Sequence, residues 1–359
     1  MKKIQFIPQH IPNFDDADMR SIQHPLKNNW VSEGPETKLF EENYRKFIGT
    51  KYAIATTSGT SALFLALSSC KLKPSNEVIV PNMTFVATAN AVKLAGTKPV
   101  LADIDSNTFT LSLDSIKLKI TKRTKCIILV HLNGRHSNIE EISEFCQKNN
   151  LFMIEDAAQS LGSKYKKKYL GSFGYAGAFS LSPSKIITTG QGGVITTDKK
   201  YVYDLIKKIK DQGRKNKNDY HPMIGYNFKF TDILAALGNS QFAKLNSRIK
   251  KTRQIHNWYG ENLKNNNSII IPETKPETHL WYFDILTTKR HKLISYLLKN
   301  NIQTRLFYKP LNSHIPYITK SKFPITQKIS KLGLYLPSSI NLDYSQVEYI
   351  CKKINSFFH

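Results

Sequence analysis

No window of this chain approaches the ~18 consecutive apolar residues that a membrane-spanning helix needs, which excludes an anchor of that kind. The first residues, MKKIQFIPQHIP, interrupt any apolar stretch at Gln5, Pro8 and Gln9, so they lack the hydrophobic region of a secretory signal. Together these absences predict a cytoplasmic protein. Cysteine is scarce: the four, Cys70, Cys126, Cys146 and Cys351, stand far apart with no C-x-x-C pair. That spacing argues against a disulfide framework or a zinc site and predicts buried thiols. No P-loop and no H-E-x-x-H occurs, so no metal is expected, and Gly190, Gly192 and Gly193 do not form the G-x-G-x-x-G of a dinucleotide fold. Acidic residues are few, 27 against 52 Lys+Arg, for a formal charge of +25. The lysines are spread along the chain rather than gathered in a basic arm, so no nucleic-acid partner is expected. The excess reads as a solvated surface, with attraction of an anionic ligand as the alternative.

What the chain does have is a clear alternation. Its 359 residues are 40% hydrophobic, enough for about two domains at roughly 100–200 residues each. Apolar β-rich runs fall at Glu77–Pro81, Pro99–Ile104, Cys126–Val130, Leu151–Glu155, Gly177–Leu181 and Gly193–Thr197. Helical patterns lie between many of them, at Thr60–Ser69, Val86–Leu94, Ile139–Asn149 and Val202–Lys210. Continuous apolar strands separated by helices predict an α/β domain with a mostly parallel sheet covered on both faces. Its ligand chemistry then belongs at the carboxyl ends of the strands. After Asn246 the pattern becomes a long helix through Arg248–Leu263, a strand over Leu280–Leu286, a helix around Lys289–Asn300 and a last helix from Tyr344 to Phe357. This predicts a large domain over residues 1–245 and a smaller α+β domain over 246–359, with the N-terminal segment packing on the latter.

Three segments offer chemistry, each with a plainer reading beside it. In SGTSALFLAL the free amides of a helix start, with Gly59, Thr60 and nearby hydroxyls, suit a phosphate; simple N-capping explains them as well. In LFMIEDAAQS a buried strand ends in Glu155-Asp156 and runs through small residues to Gln159; a carboxylate there can meet a ligand or merely cap a helix. In GAFSLSPSKIITTGQGG, Lys185 stands in a Ser/Pro/Gly-rich turn. A surface lysine is the ordinary reading; an amine beside a desolvated pocket is also what a Schiff base requires.

The order of these features carries a resemblance. With VPNMTFVATANAVKLAGTKPVLADID, VHLNGR, IEDAAQSLGSKY, FSLSPSKIITTGQGGVITT, IGYNFKFTDILAALGNSQ, IQTRLFYKPL and LYLPSSINL, the chain resembles the DegT/DnrJ/EryC1/StrS nucleotide-sugar aminotransferases over nearly its whole length. The resemblance implies a type I, aspartate-aminotransferase-like fold and the cofactor pyridoxal 5′-phosphate, cycling through pyridoxamine phosphate. It implies that Lys185 forms the Schiff base and moves the proton, and that Asp156 keeps the pyridine nitrogen protonated. Gln159 would contact the ring hydroxyl, Phe85 would stack on the ring, and Gly59, Thr60 and Ser180 would hold the phosphate. Asn227 would reach the phosphate from a second subunit, which makes a homodimer with shared active sites the functional unit. The implied reaction moves an amino group from L-glutamate to a nucleotide-linked keto sugar, with 4-aminating members the nearer match and 3-keto-sugar aminotransferases the alternative. A non-catalytic, cofactor-binding sensor of the same fold is a further alternative. Trp30, Ser32, Arg305, Tyr308 and Asn312 are the substrate-contact candidates. The chain departs from the family pattern at Asn133, where an aromatic is common, and at Gln191, Lys229 and Asn312. Those departures bear on the sugar pocket rather than on the cofactor.

Overall fold

The computed structural model describes residues 5–215 and 220–358. Its largest sheet is made of β1 (Tyr52–Thr56), β2 (Glu77–Pro81), β3 (Lys98–Ala102), β4 (Thr124–Val130), β5 (Phe152–Asp156) and, beyond a short pair β6 (Lys164–Tyr165) and β7 (Lys168–Tyr169), β8 (Ala176–Ser180) and β9 (Gly193–Thr197). The order across these seven strands is β1-β9-β8-β5-β4-β2-β3, and β9 alone runs against its neighbours. The mostly parallel sheet expected from the apolar runs is therefore present. Sequence patterning passed over β1, the short edge strand that delivers the chain to Ser58.

Side-chain alternation decides how the sheet is buried, because successive residues of a strand face opposite sides. Val78, Val80, Cys126, Ile128 and Ile154 join one apolar cluster. Ile79, Ile127, Leu129 and Met153 join another. The helices of this region are α1 (Asp16–Lys27), α2 (Pro35–Ile48), α3 (Gly59–Ser69), α4 (Ala87–Leu94), α5 (Leu113–Lys117), α6 (Ile139–Lys148), α7 (Lys200–Ile209) and α8 (Asp232–Ala243). Residues of α3, α4 and α7 belong to the first cluster and residues of α5 and α6 to the second, so the sheet is covered on both faces. Helix α3 is buried nearly all round, and Ser58 starts it with a capping box to Ser61. All four cysteines are buried and unpaired.

The C-terminal part comprises α9 (Leu245–Leu263), β10 (Asp284–Leu286), α10 (Arg290–Lys299), β11 (Arg305–Leu306), α11 (Pro324–Leu332), β12 (Gly333–Tyr335) and α12 (Tyr344–Phe358). Its three strands form a separate antiparallel sheet in the order β10-β12-β11. Helix α9 serves two cores: Leu245 packs with Phe40 and Phe179, whereas Ile255, Tyr259 and Leu263 pack with Ile350 and Ile354 of α12. Ile7 lies against this second core, its N–H donating to the Asn301 carbonyl at 2.8 Å while its carbonyl accepts from Gln303 N–H at 2.9 Å. The strand expected over Leu280–Leu286 is shorter, because the backbone of Tyr282 bonds to the Asn133 side chain and Phe283 N–H to Ser338 Oγ instead of to a ladder. Among the described residues no helix is long and apolar enough to cross a membrane. None of their His, Cys, Asp and Glu side chains gather in a group of three that could hold a metal ion.

Strand alternation also separates the two acids at the end of β5. Glu155 is fully buried and accepts from four donors: His131 Nε2 at 2.9 Å and the N–H groups of Gly171, Phe173 and Gly174 at 2.6–2.7 Å. It pins the turn between β7 and β8. Burial alone would push its carboxyl up, but the His131 hydrogen bond and charge, with the amides, hold it below the usual 4.5. A group lowered in the folded state contributes stability above its unfolded value and loses it as pH falls through the folded one. Glu155→Gln is therefore expected to cost about 3 kcal/mol at pH 7. In urea titrations the gap between wild type and variant should hold at neutral pH and close on acidification below 4.5.

Candidate active site

Asp156, on the other side of β5, opens into a cavity of 230 Å³ at the carboxyl ends of the strands. Its walls come from the segments after β1, β2, β5 and β8, closed by Trp281, Arg305 and Tyr308 from the C-terminal part. The cavity brings together Gly59, Thr60, Phe85, Asp156, Gln159, Ser180 and Lys185, with Arg305 and Tyr308 of the substrate candidates.

Each residue arrives by a local rule. Ser58 Oγ takes the Ser61 amide, which leaves the Gly59 and Thr60 N–H groups of α3 without a partner among the described residues where they line the cavity. Gly59 is required there, since a Cβ would lie 2.8 Å from the Cβ of Ser180. Asp156 accepts from Thr88 Oγ1 at 2.7 Å and from Ala158 N–H at 3.2 Å. Burial raises its carboxyl above 3.8, against the pull of those donors and of Lys185. Gln159 Oε1 accepts from Asn133 N–H at 2.9 Å, so its amide nitrogen is the atom left to donate. Phe85 is half exposed, its ring 5.9 Å from that of Tyr308.

Lys185 follows β8 in a turn closed by its N–H on the Ser182 carbonyl at 3.0 Å. Its Nζ sits 3.5 Å from the centre of the Trp281 indole. Burial pushes the ammonium from 10.5 down to about 7, with Asp156 resisting and Arg305 adding to the fall. An amine near neutrality at working pH is both a nucleophile and a proton carrier. Arg305 lies 5.9 Å from the Trp281 ring and 5.6 Å from that of Tyr308. It has no carboxylate partner among the described residues, so its charge is available to an anionic ligand.

Four candidates lie outside these walls. Asn227 is exposed and makes an isolated bridge to Asp211. Trp30 is exposed and covers Gly34, where a Cβ would fall 1.9 Å from its Nε1. Ser32 is exposed, its carbonyl taking the Asp232 N–H. Asn312 is paired with Asn82, whose Nδ2 donates to Asn312 Oδ1 at 2.9 Å. Conversely, the sequence reading missed Thr88, Ser182, Ser184 and Trp281, which line the cavity. Thr88 stands three residues after Phe85, at helical spacing, and that was its one local signal.

The residues present fit pyridoxal phosphate: helix-start amides and nearby hydroxyls for a phosphate, a buried carboxylate for the ring nitrogen, an amide donor for the ring oxygen, and a buried amine for the aldehyde. Comparison with known proteins agrees. The model of the DegT/DnrJ/EryC1/StrS aminotransferase family matches residues 12–355. The chain is 36% identical to GDP-perosamine synthase of Escherichia coli O157:H7 over 99% of both chains. It is 32% identical to GDP-perosamine synthase of Caulobacter vibrioides over 94% of this chain and 95% of that one. Among solved structures, Helicobacter pylori PseC, an aminotransferase involved in the biosynthesis of pseudoaminic acid, superposes with a TM-score of 0.94 at 27% identity, covering 99% of each chain. Fold, cavity and kinship thus converge: the chain belongs to the DegT/DnrJ/EryC1/StrS family and is a pyridoxal-phosphate-dependent nucleotide-sugar aminotransferase.

Proposed function

We propose that the enzyme transfers the amino group of L-glutamate to carbon 4 of a nucleoside-diphosphate 4-keto-6-deoxyhexose, giving a 4-amino-4,6-dideoxy sugar nucleotide for a surface polysaccharide or glycan. The observation that carries this reading is the 36% identity to a GDP-perosamine synthase over 99% of both chains, combined with an intact Lys185–Asp156 cavity. A 3-keto substrate of the same kind is the second reading; the departures at Asn133, Gln191, Lys229 and Asn312 bear on the sugar pocket without selecting the carbon.

In this reading residues 1–245 hold the cofactor and 246–359 form the smaller domain. Pyridoxal phosphate supplies the electron sink for breaking a C–H bond beside the nitrogen. Asp156 holds the ring nitrogen's proton by a charge-assisted hydrogen bond, and Thr88 fixes the carboxylate for it. The Gly59 and Thr60 amides and Ser180 Oγ would hold the phosphate, Gln159 the ring oxygen, and Phe85 would cover the ring. Lys185 Nζ would anchor the aldehyde of the cofactor and, once free, would act as base and then as acid for the proton on the carbon beside the transferred nitrogen, in both halves of the reaction. Arg305 meets an anionic part of the substrate. Asn227 serves the neighbouring site of a homodimer. The exposed Tyr220, Ile224 and Tyr226 just before it support a protein-covered surface there.

Capture of pyridoxal phosphate by the cofactor-free protein, followed by visible absorbance, is expected to rise with pH through about 7 rather than 10.5, because only the neutral Lys185 amine attacks. Lys185→Ala should show no such band and lose turnover by about 10⁴-fold, while keeping its fold by circular dichroism. Mixing Lys185→Ala with Asn227→Ala subunits should restore about a quarter of wild-type activity, since half the dimers are mixed and each carries one intact site. No recovery after demonstrated subunit exchange would place each site within one chain. With glutamate and a 4-keto-6-deoxy sugar nucleotide, NMR of the product should locate the nitrogen on carbon 4; nitrogen on carbon 3 would favour the second reading.

A further inference from the structure

Asn133 lies in the single turn Leu132–Gly134 that follows β4, with a left-handed φ of 52°. Every polar group it owns is used. Its N–H donates to Gln159 Oε1 at 2.9 Å, and its carbonyl accepts from Trp281 N–H at 3.4 Å. Its side-chain amide imitates a strand partner for Tyr282, with Nδ2 donating to the Tyr282 carbonyl at 2.9 Å and Oδ1 accepting the Tyr282 N–H at 2.8 Å. The same Nδ2 lies 3.1 Å from Asp284 Oδ2. That carboxylate is itself immobilised by the buried Arg135, which grips it with two hydrogen bonds of 2.6 and 2.8 Å. Phe283 is held from the other side, its carbonyl accepting from Leu336 N–H at 2.9 Å and its N–H donating to Ser338 Oγ, whereas the backbone bonds of Trp281 and Tyr282 go to Asn133, so the Asn133 clamp is what sets the path of those two residues.

Two cavity groups depend on that path. The Trp281 indole stacks on Tyr282, donates from Nε1 to the Ser184 carbonyl at 2.6 Å, and lays its face 3.5 Å from Lys185 Nζ. Gln159 is held on the opposite side of the same turn. We propose that Asn133 is a positioning residue, which through one turn holds the Trp281 indole over Lys185 and keeps Gln159 in register with it. The face of an indole attracts an ammonium, so the placement of Trp281 governs how readily Lys185 keeps its proton. The other titratable groups facing Lys185 are Asp156 from β5, Arg305 and Tyr308 from β11 and the segment after it, and His10 from the N-terminal segment. None of them bonds to Asn133.

The inference deepens the proposed reaction and rests on it only in taking Lys185 as the cofactor-bearing group. Its test needs neither cofactor nor sugar, so the two fail separately. In cofactor-free protein, the pH dependence of Lys185 acylation by a neutral reagent, quantified by mass spectrometry of its peptide, reads the amine directly. Asn133→Gly tolerates the left-handed backbone and deletes only the amide clamp. It is expected to lower the Lys185 midpoint by about 0.5–1 pH unit, as is Trp281→Leu, because each weakens the indole–ammonium contact. The double variant should fall no further than Trp281→Leu alone. A midpoint that stays or rises in Asn133→Gly, or that falls equally with and without Trp281, overturns the proposal. If either variant fails to accumulate as folded protein, Asn133→Ser and Trp281→Phe carry the same cycle, with smaller shifts expected and the same non-additivity required.

Discussion

Burying an amine and a carboxylate in one small cavity is the constraint on which this structure turns. Taking a charge out of water is costly, and in practice a buried group moves toward its neutral form unless partners hold it charged. Lys185 and Asp156 both move that way, the lysine down to about 7 and the aspartate upward. The lysine is thereby poised between ammonium and amine, the condition for one residue to act as nucleophile, base and acid in turn. His10, whose ring burial pushes down to about 4, adds no positive charge at neutral pH and leaves that balance to Asp156 and Arg305.

Other buried charges in the same chain behave differently, and the contrast separates scaffold from chemistry. Glu155 has four donors, and Asp284 is gripped by Arg135 and touched by Asn133. Lys210, fully buried, is neutralised by Glu33 at 2.9 Å and bonded to the Ala55 carbonyl at 2.9 Å. Asp232 accepts the amides of Gly34, Glu36 and Thr37, capping α2 from 198 residues away in the sequence. These groups are saturated, so they fix geometry and offer nothing to a ligand. Lys185 Nζ has an indole face where Lys210 has oxygen atoms, and the Gly59 and Thr60 amides have no partner among the described residues. Among these charged groups, unspent bonding capacity rather than burial sets Lys185 apart.

Much of this was legible from the chain alone. Continuous apolar runs announced the interior strands, because a parallel sheet covered on both faces needs apolar residues at every position. The helix start at Gly59, the strand-end acid and the turn lysine were visible as candidates because each is a local device, but each had a plainer reading beside it, and the order of the motifs and the family resemblance gave them roles. Which of Glu155 and Asp156 faces the cavity follows from strand register alone, once β5 is known to end there. The remainder was hidden for a physical reason. Trp281 and Arg305 reach the cavity only through tertiary packing, and Asn133 replaces a β-ladder by its side chain, which shortens a strand that periodicity had extended to Leu280. No local pattern encodes a contact made across 149 residues of chain.

The candidate residues differ sharply in exposure. Lys185 and Asp156 are enclosed by their own subunit, whereas Phe85 remains 50% exposed and Asn227 and Trp30 lie on open surface. Proton transfer demands fixed geometry and a dry environment, which a single folded core supplies before any assembly. Phosphate and sugar recognition tolerate being finished later, because they need added donors rather than a tuned pKa. In the proposed homodimer, contacts between subunits would therefore govern affinity and choice of sugar, while the reactivity of the amine stays under the control of the turn after β4 and the indole it holds.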